Sequence, residues 1–407
     1  MVESVKIGQM SDLHLGYRQY GKFERLKDFY NAALTAAETL IEQKPDIVII
    51  PGDVFHRSRP YPVSQRQAFR IFERFQEVGI PVFAIRGNHD ASYVWSERWG
   101  GNELHVLHDL GLVTYIENSY EEVELDSGRK VRVWGLGYHG SDAGSILAKI
   151  VSENKEAIEN KSIPNILMIH EFLDIWTPAV ELSEYSISLH GFDYVGIGHY
   201  HRWWENGAKS MCCSGSTEHV SVGDWKDKKR AVALITLEKG RSKWKPSIER
   251  FHFPVRKKIR ESLELGSVTA EDVNEAVTNT LREMEVDDAV VRIDVSGTLV
   301  DTQQSVDIKS IIENFTTALH IDIVPQMDYA GLFVKEDFSD TDVMREVFYQ
   351  TLDVPKRQTA RWVKLATDLK EILTESYDEQ GEEAAIRLLY KFVEPRPSKK
   401  GRRGSKR

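Results

Sequence analysis

The sequence predicts an α/β fold: a two-sheet sandwich flanked by helices, followed by a small α+β domain and a helical C-terminal segment. Three observations predict it. Over roughly residues 1–200, short β-branched runs alternate with longer amphipathic stretches, the signature of β/α units. From residue 121 the pattern becomes strand pairs joined by turns, so the parallel sheet should give way to antiparallel strands. Beyond residue 339, apolar residues recur at helical intervals.

The elements follow in order. VKIGQM reads as a first strand, 22–43 as an amphipathic helix, DIVII as a second strand, 63–78 as a second helix and PVFAI as a third strand. EEVEL and KVRVWGL flank Asp126-Ser-Gly-Arg129, a hairpin turn, and NILMI and YVGI add two buried strands. Strand signals recur at Met211, over 230–237 and over 245–253, and Pro254 to Arg260 reads as a connector. Beyond it, Thr269-Ala-Glu-Asp272 has the spacing of a helix start, AVVRIDVSG reads as a strand, 304–319 as a helix and HIDIV as a strand. The expected domains are therefore 1–254, 255–338, a helical segment 339–395 with helices at 341–352, 359–373 and 382–393, and a basic disordered tail 396–407.

Composition narrows the function classes. No run approaches the ~18 apolar residues of a spanning helix, and the start MVESVKIGQM lacks a secretion signal, so a cytoplasmic protein without a membrane partner is expected. Cys212 and Cys213 are adjacent, and neighbours on a strand point to opposite faces, which argues against a disulfide. Two thiols are also too few for a thiolate-rich zinc site. The net charge of −10 argues against generalised attraction to polyanions, although seven basic residues crowd the tail. Polyanion binding must use a local groove, bound metal or that tail.

Five short segments carry the chemistry: Asp12-x-His14, Gly-Asp53-Val-Phe-His56, Gly-Asn88-His89-Asp90, His170 after an apolar run, and Gly-His199-Tyr-His201. Each falls just after a strand, and open sheets of this type gather sites at strand C-termini. A lone Asp-x-His is usually a turn and a lone histidine usually a core residue. Five such segments at five strand exits outweigh that reading and supply ligands for a two-metal site acting on phosphate esters. Carboxylates, imidazoles and one amide suit Mn²⁺, Fe²⁺ or Zn²⁺. Asp53 is the candidate bridging carboxylate; one ion would take Asp12, His14 and His201, the other Asn88, His170 and His199. Asp12 and His14 are two apart, as are His199 and His201, so on extended segments each pair projects to one side. Gly52, Gly87 and Gly198 precede ligands and allow sharp turns.

In these five blocks the chain resembles the calcineurin-like metallophosphoesterase superfamily. His56, where protein phosphatases typically carry an aspartate, Asp90 in place of their glutamate, and Arg59-Pro60-Tyr-Pro make it similar to the double-strand-break-repair nucleases of the meiotic-recombination-eleven family, whose bacterial counterpart is the SbcD subunit. Ser214-Gly-Ser-Thr-Glu218 resembles a family segment that usually opens with proline. The resemblance implies a metallophosphoesterase sandwich, a DNA-contacting capping domain over 255–338, and C-terminal helices that dock on a Rad-fifty-type ATPase. It implies two Mn²⁺, with Mg²⁺, Fe²⁺ or Zn²⁺ as alternatives, and 3′ to 5′ exonuclease and endonuclease activity on double-stranded ends and single-stranded DNA. It further implies a homodimer through 63–78 and 94–110, where Trp95 and Trp99 lie one helical turn apart. His89 is the candidate to stabilise the transition state and protonate the leaving oxygen; His56 would position the DNA backbone, or else orient His89 or a ligand. The alternative is a dinuclear-metal phosphatase or cyclic-nucleotide phosphodiesterase on the same fold. A scaffold that had lost catalysis should show gaps among the ligands, and none is missing.

Overall fold

The computed structural model describes residues 3–91, 101–177, 182–241, 243–300, 306–329 and 362–366. In chain order the strands are β1 (Ser4–Gln9), β2 (Ile47–Pro51), β3 (Val82–Ile85), β4 (Thr114–Tyr115), β5 (Ser119–Glu124), β6 (Lys130–Leu136), β7 (Asn165–His170), β8 (Tyr194–Gly198), β9 (Trp204–Asn206), β10 (Met211–Cys213), β11 (Arg230–Lys239), β12 (Trp244–Phe253), β13 (Lys258–Val268), β14 (Val290–Leu299) and β15 (His320–Tyr329). They form two six-stranded sheets, ordered β12-β11-β1-β2-β3-β4 and β5-β6-β7-β8-β10-β9, and a three-stranded sheet β13-β14-β15. The centre of each large sheet is parallel, and β5, β9, β11 and β12 pair antiparallel, as the change of pattern after residue 121 predicts.

Alternation along the strands builds the layers. On β2, Val48 and Ile50 face the helices while Ile47 and Ile49 face the second sheet, and all four are fully buried. The face toward the helices is covered by α1 (Phe23–Gln43) and α2 (Pro62–Glu77). On α1, Ala32, Ala33, Ala36 and Ala37 recur at helical spacing, and their small side chains let the helix lie close to the sheet. Pro62 starts α2, where its missing N–H costs nothing, and Ala68, Ile71, Phe72 and Phe75 form its buried stripe. Cys212 packs between the sheets and Cys213 on the outer face of the second, so the two thiols point apart as expected.

A polar tie crosses the sandwich. Tyr194 of β8 donates its hydroxyl to Gln9 Oε1 of β1 at 2.5 Å, and Gln9 Nε2 donates to Cys212 O of β10 at 3.1 Å. Buried polar groups satisfied in this way fix register as well as stability.

Two local expectations are corrected. The connector ends in a strand, β13, whose sequence KIRESLELGSV is largely polar and solvent-facing and so lacks the apolar alternation that signals a strand. Of the helix expected over 304–319, the described residues form one at Ile308–Glu313, where Asp307 accepts a hydrogen bond from Ser310 N at 3.0 Å and caps its start. The Thr269 capping box forms as predicted. The chain divides into two compact units, Met1–Gly297 with Gln304–Met327, and Thr298–Gln303 with Asp328–Arg407; the site below lies in the first. Trp95, Trp99, the segments 341–352 and 382–393 and the basic tail lie outside the described residues; within 359–373, residues 362–366 are helical. Among the described residues no helix is long and apolar enough to cross a membrane.

Candidate metal centre

The C-terminal ends of β1, β2 and β3 meet those of β7 and β8 at one edge of the sandwich, and the five segments leave from there. Two of the loops run side by side. Asp12 N donates to Gly52 O at 3.2 Å, His14 N to Asp53 O at 3.0 Å, Leu15 N to Val54 O at 3.0 Å, and His56 N back to Leu15 O at 3.1 Å. Asp90 ties in the third loop: its carboxylate accepts from Val54 N at 3.2 Å, Phe55 N at 2.8 Å and Gly87 N at 3.0 Å.

The backbone here is not extended. Asp12, His14, Asp53 and His199 have φ of +52°, +45°, +52° and +79°, a region that costs non-glycine residues on the order of 1–3 kcal/mol each. Asp12 and His14 therefore converge through two left-handed residues, not through the strand alternation expected from their spacing. Gly52, at φ +86°, makes the predicted turn, whereas Gly87 is required for space, because a Cβ there would collide with the Asp53 carboxylate.

All seven expected ligands come together. Donor atoms of Asp12, His14, Asp53 and His201 lie within 4.8 Å of one another, and so do those of Asp53, His170 and His199. Asp53 is common to both groups. Its Oδ2 stands 3.7 Å from His14 Nε2 and 3.5 Å from His170 Nε2. His14 Nε2 faces His201 Nε2 at 3.2 Å, and His170 Nε2 lies 3.1 Å from Asn88 Oδ1. Asp53 Oδ2 is buried and has no hydrogen-bond donor. A buried carboxylate oxygen without a donor, ringed by imidazole nitrogens, fits divalent cations in its chemistry.

Further side chains orient these groups. His170 Nδ1 donates to Pro51 O at 2.7 Å, which turns Nε2 toward Asp53. Ser11 donates to Asp12 Oδ2 at 2.6 Å. His201 Nδ1 lies 3.7 Å from Asp224 Oδ2, which also accepts from Val220 N at 3.0 Å and Ser221 N at 2.7 Å. The sequence reading missed Ser11, Asp90 and Asp224 as site residues. Asp224 had a local signal, the Ser221-x-x-Asp224 spacing of a capping box, but nothing in the sequence ties that box to His201.

His56 and His89 stand beside the ligands. Their rings stack at 5.0 Å with 20° between planes, and His14 meets both edge-on. His89 Nδ1 donates to His56 O at 3.1 Å, and His56 Nδ1 lies 3.4 Å from His14 Nδ1.

Burial and neighbouring charge set the protonation states. Burial pushes the Asp53 carboxyl up, but the facing imidazoles of His170 and His14 outweigh it and hold Asp53 well below the ordinary carboxylate range. Burial alone would lower His170; Asp53 and Asp12 reverse that and raise it to about 10. His14 and His199 are held well below the ordinary imidazole value by burial, with neighbouring histidines adding to the effect. Burial and then His89 press His56 down to about 3, so it is neutral. A proton on His170 thus answers the charge of Asp53, a task that a divalent cation between them would take over.

Comparison with known proteins agrees with this geometry. Residues 5–203 match the family model of the calcineurin-like phosphoesterases. The DNA double-strand break repair protein Mre11 of Methanocaldococcus jannaschii is 30% identical over 227 residues, 54% of this chain and 58% of that protein. The protein of the same name from Saccharolobus solfataricus is 31% identical over 206 residues, 49% of this chain and 50% of that one. That from Sulfolobus acidocaldarius is 23% identical over 303 residues, 71% and 74%. The chain thus spans about half the length of the first two relatives. The family model and the residue groups together point to a dinuclear centre for divalent metal. Just under half of the chain thus matches the calcineurin-like phosphoesterase model, and the chain is similar to proteins named Mre11.

Proposed function

We propose that this chain is a DNA nuclease that hydrolyses phosphodiesters at double-strand-break ends during repair, with Mn²⁺ as its metal and with both 3′ to 5′ exonuclease and endonuclease activity. The observation that carries the reading is the pairing of the Asp53-centred cluster with a stacked His56 and His89 at its side. Asp12, His14, Asp53 and His201 would hold one cation, and Asp53, Asn88, His170 and His199 the other. When bound, two divalent cations offset the charge of a phosphodiester and lower the pKa of water.

The chain's own groups supply the rest. His89 keeps its Nδ1 proton on the His56 carbonyl, so a second proton carried on Nε2 of the imidazolium is the one handed to the leaving oxygen, returning the ring to its neutral form. His56, neutral and half-buried, presents an uncharged imidazole that can position the DNA backbone through hydrogen bonding. Backbone hydrogen bonds from Asp12 and His14 to Gly52 and Asp53 tie two of the ligand loops together before substrate arrives.

Partners belong to the same proposal: a Rad-fifty-type ATPase on the C-terminal helices, a capping domain over 255–338 against DNA, and a homodimer. The similarity to the archaeal Mre11 proteins supports them. Digestion of an end-labelled duplex with Mn²⁺, beside para-nitrophenyl mono- and diesters, tests the reading. Shortening of the duplex from its ends is expected. Hydrolysis of the small esters with the duplex left intact would instead favour a phosphatase or cyclic-nucleotide phosphodiesterase.

A further inference from the structure

Tyr17 lies five residues beyond Asp12, and neither its role nor its neighbours were legible in the motif. In the structure its ring stacks on His56 at 3.8 Å with 23° between planes, and His56 in turn stacks on His89 at 5.0 Å and 20°. Tyr17 is itself fixed from behind. Its N–H donates to His14 O at 3.1 Å, Gly16 turns the chain at φ +93°, and the ring rests on Phe29 of α1 at 5.1 Å.

The hydrogen-bonding restraint on the His56 ring is weaker. Its Nδ1 lies 3.4 Å from His14 Nδ1, at the long end of hydrogen bonding. Stacking between near-parallel rings restrains the plane of an imidazole, which one long hydrogen bond leaves free to turn.

We propose that Tyr17 is a positioning residue that acts through its ring: it holds His56 flat, and through His56 sets the face and orientation of His89. This rests on the role proposed above for His89. The hydroxyl has no part in it, so an aromatic substitute should serve.

The test uses the full chain, with Mg²⁺ for recording the histidine ring C–H signals by NMR, assigned with His56→Asn and His89→Asn, and with Mn²⁺ for cleavage. The wild type should show His56 signals displaced by the ring current of Tyr17. Tyr17→Phe should keep those shifts and the wild-type kcat. Tyr17→Leu, and Tyr17→Met as a second non-aromatic variant that can still fill the space on Phe29, should move the signals of both His56 and His89. Both should lower kcat on a labelled duplex about tenfold, with KM and metal affinity unchanged. Unmoved His89 signals in the folded Leu or Met variant would overturn the proposal, as would loss of kcat in Tyr17→Phe. Should the wild type cleave no DNA, the proposed function falls; the ring signals still decide whether Tyr17 orders the two histidines.

Discussion

Gln9 and Tyr194 join the two large sheets: the Tyr194 hydroxyl donates to Gln9 Oε1 at 2.5 Å, and both side chains are fully buried. Gln9 ends β1, three residues before Asp12, and Tyr194 begins β8, which ends just before His199. The tie therefore links the strands from which the Asp12 and His199 loops leave, and beyond those strand ends His14 Nε2 faces His201 Nε2 at 3.2 Å.

Gln9→Leu removes that tie and leaves the Tyr194 hydroxyl without its acceptor. The expected cost is about 1–3 kcal/mol, read as a lower midpoint in urea, together with weaker metal binding. An unchanged midpoint and unchanged metal affinity would show that packing alone sets the register.

Asp224 acts on His201 from the side away from the candidate ions. Asp224→Ala should weaken divalent-metal binding about 10- to 100-fold, measured by calorimetric titration, with little change in the melting temperature of the metal-saturated protein. Wild-type affinity in that variant would leave Asp224 with only its capping role toward Val220 and Ser221.

His89→Asn should retain two metal equivalents and lose hydrolysis of DNA by about 10²–10⁴-fold. Metal content by mass spectrometry and cleavage of a labelled duplex check it together. Full activity would remove His89 from the proton transfer.

Much of this site could be read from the sequence because its residues sit at strand exits, where an apolar run announces the strand and a polar motif announces the loop. His170 after NILMI and His199 after YVGI are legible for that reason, and so are the helices whose apolar stripes repeat at helical spacing. Contacts between segments distant in sequence left no such mark. Asp224 reaches His201, Tyr17 reaches His56 and Gln9 reaches Tyr194 only once the sandwich has closed. The left-handed backbone at Asp12 and Asp53 was equally hidden, since a side chain that tolerates positive φ does not announce that it adopts it.

A pH effect follows from Glu218, buried against Lys258 Nζ at 2.6 Å and Arg25 Nη1 at 3.4 Å. Burial raises its carboxyl, but the His219 hydrogen bond and the charges of Lys258 and Arg25 outweigh this and depress it far below its ordinary value of 4.5. Burial brings Lys258 down to about 8, so it is still charged at neutral pH. A carboxyl with a depressed folded-state pKa stabilises the fold above its unfolded value, and that stability is lost as pH falls below about 4.5. The difference in melting temperature between wild type and Glu218→Gln should therefore be large at pH 7 and shrink steadily toward pH 3. A difference independent of pH would contradict the charge assignment.

The central claim is that five strand exits build one cage for two cations with Asp53 between them. Anomalous diffraction from a crystal soaked in Mn²⁺ measures this most directly. Two peaks roughly 3.5–4 Å apart, bridged by Asp53 and flanked by Asp12, His14 and His201 on one side and Asn88, His170 and His199 on the other, are predicted. A single peak, or manganese held elsewhere with these seven side chains apart, would contradict it.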